Sequence, residues 1–314
     1  MQSIYGNQRY YSLSNYYKKT FGSRVMKAVI DGGFSCPNKD GTLSHTGCLF
    51  CNGGSGYFTK SGSITQQLIL EKNRINAKYP DAKLMAYFQA NTNTYAPISK
   101  LKKIYEEALS FQDVVGMSIA TRADCISDEV LSYLKELSER TCLTIELGLQ
   151  TIHESTAEKM NLCCQRELIK KCTLKLKRLG IRVCLHVING LPGENIDDML
   201  ETIQTIATWQ PDGVKLQLLH IIKDTPLEKI YQSTGFHILT EDEYVNLIAE
   251  QIRFLHPETV CERLTGDGDA QKLVAPMWSK NKRHVLNRIS QRLKETNSIQ
   301  GDKYHSEDST YSAI

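Results

Sequence analysis

Short apolar segments alternate along the chain with longer segments in which apolar residues recur every three or four positions. Nearly continuous apolar runs are typical of strands buried on both faces, and the longer spacing is typical of amphipathic helices. The predicted strands cover residues 25–30, 84–89, 114–119, 143–147, 181–187 and 214–219; the predicted helices cover 64–78, 98–110, 128–139, segments up to 179, and 196–209. Six β-α repeats predict an α/β protein with a parallel sheet, either open and doubly wound or curled into a full or partial barrel.

The repeat ends near residue 235. Beyond it the pattern predicts a helix at 241–255, a short strand-like run at 259–264 and a helix at 281–295, and the polar residues from Gly301 onward predict a frayed end. No linker rich in Gly, Pro or Ser separates the two parts. We therefore predict a core with an N-terminal extension at 1–235 and a C-terminal extension at 236–314 that packs on it.

Length and composition restrict the class of protein. The chain has 314 residues, of which 41% are hydrophobic and 23% charged, and this excludes a mainly disordered or collagen-like chain. The formal net charge of +3 indicates no nucleic-acid partner by itself. No run approaches the roughly 18 apolar residues of a membrane span, and no apolar stretch of a secretory signal follows the start. We expect a cytoplasmic protein whose ten cysteines are reduced.

Polar and Gly-rich loops follow most of the predicted strands, and in α/β proteins chemistry gathers at the carboxyl ends of strands. These loops are Gly32-Gly33 and residues 89–94, 120–124, 148–151 and 189–194. An acid, an amide and an arginine recur among them, which favours a pocket on one rim. The alternative is that βα loops are polar in any case.

Three cysteines lie in the Gly-rich loop after the first predicted strand, with the spacing Cys36-x11-Cys48-x2-Cys51. Thiolates at this spacing can hold one metal centre through three protein ligands. A structural zinc site has four protein ligands, whereas a cluster or catalytic metal that binds another molecule keeps one position open. His45 lies inside the loop and can supply a fourth ligand, so a zinc site is the alternative.

Further motifs accompany the three-Cys loop with its Phe50. They are Tyr87-Phe88-Gln89, Thr92-Asn93-Thr94-Tyr95, Thr121-Arg122-Ala123-Asp124-Cys125, Glu146-Leu147-Gly148-Leu149-Gln150, Gly190-Leu191-Pro192-Gly193-Glu194, Arg263-Leu264-Thr265-Gly266-Asp267, Ala275-Pro276-Met277-Trp278, Lys282 and Gln300-Gly301. Together with the cysteine loop, these motifs resemble the radical S-adenosylmethionine (SAM) superfamily. The long first gap of the cysteine motif resembles the Elongator-subunit-3-like branch, and the C-terminal motifs resemble a bacterial subgroup that includes MnmL-type enzymes acting on the tRNA wobble uridine.

The resemblance implies a fold and a cofactor set. The fold is a partial (β/α)6 TIM-like barrel of the radical SAM type with a small α/β C-terminal extension. Cys36, Cys48 and Cys51 are implied to ligate a 4Fe-4S cluster whose fourth iron binds SAM, so that a 5′-deoxyadenosyl radical is generated. The residues implied to contact SAM are Asn93, Arg122, Glu146 and Gln150. For Arg122 and Glu146, the alternative is a mutual salt bridge on the rim.

Basic residues between 271 and 294 suggest an RNA substrate, since this segment has seven of them and no acid. Lys282 and Arg283 are predicted to contact phosphates and Trp278 to stack on a base; a solvated helix face is the alternative. A second candidate surface is the N-terminal set of tyrosines, Tyr5, Tyr10, Tyr11, Tyr16 and Tyr17. His186 is predicted either to face the substrate or to be a core histidine.

The resemblance therefore predicts a tRNA-modifying radical SAM enzyme that converts a 5-carboxymethylaminomethyl-uridine side chain to the aminomethyl form. A flavodoxin- or ferredoxin-type electron donor is implied. The alternatives are a haem- or porphyrin-binding radical SAM relative and a non-enzymatic zinc-held RNA-binding module.

Four further cysteines, Cys163, Cys164, Cys172 and Cys184, are interpreted as buried free thiols rather than as ligands of a second cluster. The loop that reads Asn161-Leu162-Cys163-Cys164 departs from the Asn-Arg-Gly-His of close relatives. Because of this departure, the match to the subgroup is less certain for the substrate and the reaction outcome, whereas the prediction of the cluster and of SAM is unaffected.

Overall fold

The computed structural model describes residues 4–51, 62–89, 91–266 and 268–305. Its centre is a seven-stranded sheet in the order β1-β2-β3-β4-β5-β6-β8, in which every neighbouring pair is parallel. The strands are β1 (Val25–Ile30), β2 (Lys83–Phe88), β3 (Val114–Thr121), β4 (Cys142–Gln150), β5 (Arg182–Asn189), β6 (Gly213–Leu218), β7 (Ile221–Ile222), β8 (Val260–Arg263) and β9 (Leu273–Ala275), of which β7 and β9 form a separate antiparallel pair.

Helices follow the strands along the chain. They are α1 (Leu13–Phe21), α2 (Ile64–Asn76), α3 (Ile98–Leu109), α4 (Asp128–Arg140), α5 (Glu154–Lys159), α6 (Arg166–Arg178), α7 (Ile196–Ala207), α8 (Pro226–Thr234), α9 (Glu241–Phe254) and α10 (Lys282–Glu295). Polar side chains satisfy the free N–H groups at several helix starts; Ser63, Asn195 and Thr240 form capping boxes. Among the described residues, none of the helices combines the length and apolar character needed to cross a bilayer.

The sheet is curled, so that its first and last strands approach each other inside the molecule. The ammonium group of Lys27 on β1 lies 2.8 Å from the carboxylate of Glu262 on β8. Leu143, Ile145 and Leu147 of β4 belong to the large apolar core, whereas the alternating residues face inward or line a cavity. The expected α/β class and the partial barrel are confirmed.

The strand-like run expected at 259–264 is part of the main sheet. It forms β8, which pairs with β6 through Gly213↔Val260 and Val214↔Cys261. The 236–314 segment thus contributes the seventh strand of the barrel as well as packing helices on it. The boundary at residue 235 stays a prediction.

The N-terminal tyrosines pack inside the protein, so the prediction that they form an RNA-contacting surface is wrong for four of them. Tyr5, Tyr10, Tyr11 and Tyr17 are each no more than 7% exposed. The rings of Tyr5 and Tyr11 are 6.4 Å apart, and Tyr5 and Tyr11 pack with Val260 of β8. Aromatic residues bury large apolar areas, and here that area covers the sheet near β8.

The end of the described chain is held in place by one glutamine. The buried side chain of Gln300 accepts from the backbone N–H of Tyr11 at 2.8 Å and donates to the carbonyls of His256 and Thr259 at 2.8 and 2.7 Å. Asp302 accepts from Arg253 at 2.8 Å. The expected fraying from Gly301 is therefore wrong for residues 301–305; residues 306–314 lie outside the described part.

Replacing Gln300 with Ala is expected to lower the free energy of unfolding by about 2–4 kcal/mol, because it leaves the buried N–H of Tyr11 and the buried carbonyl of Thr259 without partners. Urea denaturation measures the change. The matched control is Gln291→Ala on α10, where the exposed side chain contacts Glu295 and a loss of at most about 0.5 kcal/mol is expected. Equal effects in the two variants would contradict the bracing role of Gln300.

Candidate active site

A cavity of about 320 Å³ lies at the carboxyl ends of the strands. Residues that follow β2, β3 and β4 line one part of it, and residues of β5, β6 and β8 line another. Seven of the residues singled out in the sequence meet there: Cys36, Cys48, Cys51, Arg122, Glu146, Gln150 and His186. The expected rim pocket is therefore present and includes the three-Cys loop.

The cysteine loop is fixed by backbone hydrogen bonds near each cysteine. The carbonyl of Cys36 accepts from the N–H of Lys39 at 2.8 Å, and the carbonyl of Cys48 accepts from the N–H of Cys51 at 2.8 Å. Between them, the N–H of Leu49 donates to the carbonyl of Met160 at 3.1 Å. The loop is thus attached to the segment that follows α5. Residues 52–61, which follow Cys51, lie outside the described residues.

Asn161 is the main attachment point, and the sequence analysis missed this role. Its side-chain amide donates to the carbonyl of Gly47 at 2.7 Å and to Oγ of Ser44 at 3.0 Å, while its own carbonyl accepts from Asn38 at 2.6 Å. Its φ of 54° lies in the left-handed region, which Asn tolerates better than most residues.

The three thiols fit a cluster with one open position. Burial raises the pKa of the Cys48 thiol to about 12, although Asn38 donates to its Sγ at 3.4 Å and acts in the opposite direction. Iron binding has to displace this proton. His45, the candidate fourth ligand, is exposed, packs against Gly41 and is not among the cavity-lining residues. The loop itself therefore presents three thiols to the cavity, which suits an iron-sulfur cluster that binds a further ligand; Cys164, from the segment after α5, lines the cavity separately.

Glu146 is fully buried below the rim, where its carboxylate has four partners. Lys27 contacts Oε1 at 2.7 Å, His186 contacts Oε2 through Nε2 at 2.7 Å, and Ser118 and Lys215 also donate to the carboxylate. Burial alone would raise the pKa of Glu146, but the ammonium groups of Lys215 and Lys27 outweigh it and hold that pKa well below its ordinary range. The carboxylate is ionised and fully occupied.

The lysines extend this contact into a network across the barrel. Lys27 pairs with Glu262, which in turn pairs with Arg182 at 3.0 Å, and Lys215 donates to the hydroxyl of Tyr87 at 2.7 Å. Lys27, Lys215, Arg182 and Glu262 were not among the residues predicted from the sequence. The available signal was a charged residue in the middle of an apolar strand, as in Val-Met-Lys-Ala-Val-Ile and Gly-Val-Lys-Leu-Gln-Leu.

His186 lines the cavity and is also anchored to the network. Burial and the positive charge of Lys215 lower the pKa of His186 to about 4, so the ring is neutral at physiological pH. Since the partner of Nε2 is an ionised carboxylate, Nε2 carries the proton. The ring thus lines the cavity, where a substrate could meet it, and is also bonded to a buried carboxylate, as a core histidine would be.

Arg122 forms a salt bridge, but with a partner other than Glu146. Its guanidinium donates to Asp124 through Nε at 2.9 Å and through Nη2 at 2.6 Å. It also donates to the carbonyls of Leu162 and Cys163 at 2.9 and 2.6 Å. The alternative of an Arg122–Glu146 salt bridge is wrong, because the lysines occupy Glu146. Arg122 joins the rim of β3 to the loop after α5 and lies in the cavity wall.

Four other predicted site residues lie away from the cavity. Asn93 is fully buried and donates to the carbonyl of Ala120 at 2.8 Å, whereas Asn91 and Thr92 line the cavity in its place. Trp278 packs on Tyr244, and its Nε1 donates to the carbonyl of Leu239 at 3.1 Å. Lys282 and Arg283 are exposed on α10. The stacking role predicted for Trp278 is not supported by this packing, and the SAM contact of Asn93 stays a prediction.

The remaining cysteines are dispersed. Cys184 is buried in β5, Cys172 packs on the core from α6, Cys164 lines the cavity, and Cys163 is exposed. In the described part of the chain, no group of three ligating side chains that could hold one metal ion includes a cysteine. The structure thus agrees with free thiols, but of these four only Cys184 is fully buried; Cys164 and Cys172 are half-buried and Cys163 is exposed.

Replacing Glu146 with Gln is expected to cost about 3–5 kcal/mol of unfolding free energy at pH 7, because Lys27 and Lys215 then lose a buried counter-ion. Since folding lowers the pKa of Glu146, its contribution is present above about pH 4.3 and is lost as the pH falls toward the folded value. The deficit of the variant should therefore shrink in acid. Urea denaturation across this pH range tests the prediction.

The control for this prediction is Glu139→Gln on the surface of α4, where the carboxylate forms an exposed pair with Lys135. We expect a change of at most about 1 kcal/mol that depends little on pH. A Glu146→Gln variant as stable as this control would show that the ionic network does not support the fold.

Comparisons with known proteins agree with the site. The Radical SAM superfamily model matches residues 42–206, and the model of the Radical SAM C-terminal domain matches residues 211–295. YtqA of Bacillus subtilis (strain 168) is 46% identical over 299 residues, which cover 94% of this chain and 92% of that protein. The tRNA uridine(34) acetyltransferase of Methanocaldococcus infernus is 28% identical over 141 residues, which cover 43% of this chain and 25% of that protein.

A solved structure shows the same fold. Archaeal Methanocaldococcus infernus Elp3 lacking residues 1–46 matches with a TM-score of 0.66 at 18% identity, over 88% of this chain and 64% of that one. The family models cover most of the chain, and the resemblance to the Elongator-subunit-3-like branch is confirmed. This protein therefore belongs to the radical SAM superfamily of enzymes, whose cofactors are a 4Fe-4S cluster and SAM, and over about half of its length it is similar to Elongator complex protein 3 of Mus musculus.

Proposed function

We propose that this enzyme modifies the wobble uridine of tRNA, converting a 5-carboxymethylaminomethyl side chain to the aminomethyl form. The observation that carries the proposal is the single cavity that brings the three thiols together with a polar wall at the strand ends. A matching relative is named a tRNA uridine(34) acetyltransferase, which supports a tRNA substrate. When bound, the cluster and SAM would supply a 5′-deoxyadenosyl radical. Loss of one hydrogen atom from the carboxymethyl carbon to this radical and of one electron to the oxidised cluster, followed by hydrolysis with water, would release the two carbons as glyoxylate and leave the aminomethyl group.

The residues of the chain hold and shield this chemistry. Cys36, Cys48 and Cys51 would hold three irons of the cluster and leave the fourth for SAM. Arg122 also lies in the cavity wall. Asp124, Leu162 and Cys163 take four of its five N–H groups, so that the second N–H on Nη1 would be the donor for the carboxylate of SAM. The apolar side chains of Leu149, Leu162, Ile188, Leu218 and Leu219 also line the cavity and exclude water from the reacting groups.

Helix α10 supplies the RNA-binding surface in this proposal. Its exposed basic residues include Lys282, Arg283, Arg292 and Lys294, and its inward side packs through Val285, Ile289 and Leu293. On the same helix, Arg288 pairs with Asp242 at 2.5 Å. An exposed basic face on a firmly packed helix suits contact with phosphates. A flavodoxin- or ferredoxin-type protein is proposed as the electron donor.

The modification is tested by mass spectrometry of tRNA nucleosides from cells that carry or lack the gene. Cells lacking it should accumulate 5-carboxymethylaminomethyl-uridine and lose the aminomethyl form. Wild-type protein should restore the product, whereas Cys36→Ala, Cys48→Ala and Cys51→Ala should not, because each removes a cluster ligand. Cys172→Ala is the control and should restore it.

Unchanged nucleosides after deletion of the gene would overturn the proposed substrate. If the purified protein then gave a Soret band on titration with haem, the porphyrin-binding alternative would replace it.

Replacing Lys282 and Arg283 together with Ala should weaken tRNA binding and lower the slope of log K against log salt by about 1.5–2, since two phosphate contacts are lost. Fluorescence anisotropy with labelled tRNA at several salt concentrations measures both effects. The control is the Lys102→Ala/Lys103→Ala variant, which removes two exposed lysines from α3. Identical salt slopes for the two double variants and the wild type would exclude this face of α10.

A further inference from the structure

Asn38 lies in the cysteine loop, two residues after Cys36, and is fully buried. The N–H groups of Lys39 and Asp40 donate to the carbonyl of Cys36 at 2.8 and 3.1 Å. The turn closed by these bonds has Pro37 directly before Asn38, and proline fixes its own φ in such turns. The backbone therefore fixes the direction in which the side chain of Asn38 points.

The side-chain amide of Asn38 donates to two acceptors on different segments. Nδ2 lies 3.4 Å from Sγ of Cys48 and 2.6 Å from the backbone carbonyl of Asn161. A backbone carbonyl only accepts hydrogen bonds, so the nitrogen of the amide, and not its oxygen, has to face Asn161. The same nitrogen carries a second N–H group, which is available to the sulfur of Cys48.

The oxygen of this amide indicates that the nitrogen decides its orientation. Oδ1 of Asn38 is buried, and it has no hydrogen-bond partner among the described residues. A buried acceptor without a donor is destabilising and uncommon in folded proteins. Since the fold retains this orientation, the two hydrogen bonds made by the nitrogen outweigh the one that the oxygen lacks.

The bond to Cys48 distinguishes one of the three cysteines. In the described parts of the chain, no other hydrogen bond reaches the sulfur of Cys36, Cys48 or Cys51. When these sulfurs ligate a cluster, they share its negative charge, and reduction by one electron increases that charge. The positive end of a fixed N–H dipole at the sulfur therefore stabilises the reduced form more than the oxidised form. Burial strengthens this effect, because the local dielectric constant is low.

We propose that Asn38 is a positioning residue for electron transfer: through its hydrogen bond to Sγ of Cys48, it raises the reduction potential of the cluster. The step is the transfer of one electron from an external low-potential donor to the oxidised cluster, and no bond of the protein forms or breaks in it. Hydrogen bonds to the sulfurs are one of the factors that set the potentials of iron-sulfur clusters. This role does not rest on the substrate proposed above, because the cluster has to be reduced whichever substrate is modified.

The test uses protein whose cluster has been reconstituted without oxygen, in the absence of SAM and tRNA. Asn38→Leu keeps approximately the size of the side chain and removes both N–H groups. Asn38→Ala removes them as well but leaves a space. If the hydrogen bond is the cause, the two variants should behave alike in spite of their different volumes.

The control is Asn161→Gly. It removes three side-chain hydrogen bonds to residues 44–47 of the same loop but keeps the backbone carbonyl that accepts from Asn38. Glycine adopts the φ of 54° at this position without strain. The variant therefore loosens the loop without removing the donor to Cys48.

The EPR signal of the reduced cluster is recorded at a series of solution potentials set with dithionite and redox mediators. At a fixed potential, the ratio of reduced to oxidised cluster should be about tenfold lower in both Asn38 variants than in the wild type. This ratio corresponds to a midpoint about 59 mV more negative for a one-electron couple. Asn161→Gly should have a lower melting temperature but the wild-type midpoint.

A ratio within about twofold of the wild type in either Asn38 variant would overturn the inference. An equal shift in Asn161→Gly would also overturn it, because loosening of the loop would then explain the change. If one Asn38 variant binds no iron, the other one decides; if neither does, Asn38 serves assembly of the cluster and the inference fails. Unchanged tRNA nucleosides after deletion of the gene would refute the proposed substrate but not this role.

Discussion

The shared carboxylate of Glu146 is the interaction on which the rest of the structure depends. Two lysines from strands at different positions in the sheet, Lys27 and Lys215, meet on it, and Lys27 also reaches Glu262 on the last strand. Charges inside a protein are tolerated only when they are paired and hydrogen-bonded. The sheet therefore has to curl far enough to bring these groups together, and that curvature creates the cavity.

The residues of this network stabilise the barrel, and they are different from the residues that can bind a ligand in the cavity. Below the rim, the ionic groups satisfy one another, and Glu146 has no oxygen to spare for the SAM contact expected from the sequence unless one of its four partners is displaced. At the rim, the groups facing the cavity are differently placed: the three thiols, the guanidinium of Arg122 and the amide of Gln150. Residues at the carboxyl ends of the strands are thus placed to contact small ligands, whereas residues in the middle of the strands maintain the shape of the barrel.

The sequence predicted the elements that depend on local pattern. All six predicted strands of the β-α repeat and the three-Cys loop are found where expected, and even the short run that became β8 was noticed. The sequence could not predict the features that depend on tertiary packing. A tyrosine-rich segment near the N-terminus is compatible both with contact to RNA and with packing in a core. Only the buried positions of the rings in the structure distinguish the two. In β4, Thr144, Glu146 and Gly148 alternate with Leu143, Ile145 and Leu147, a period of two that reveals a sheet with one polar face.

The contact between Lys27 and Glu262 joins residues 235 positions apart in the chain. Contacts between such distant residues form late, since the intervening chain must first be ordered. On a ribosome, the first six strands would emerge while their interior charges still lack the partner from β8. The curl of the sheet, and with it the cavity, would then be completed only when the C-terminal part of the chain has joined the barrel.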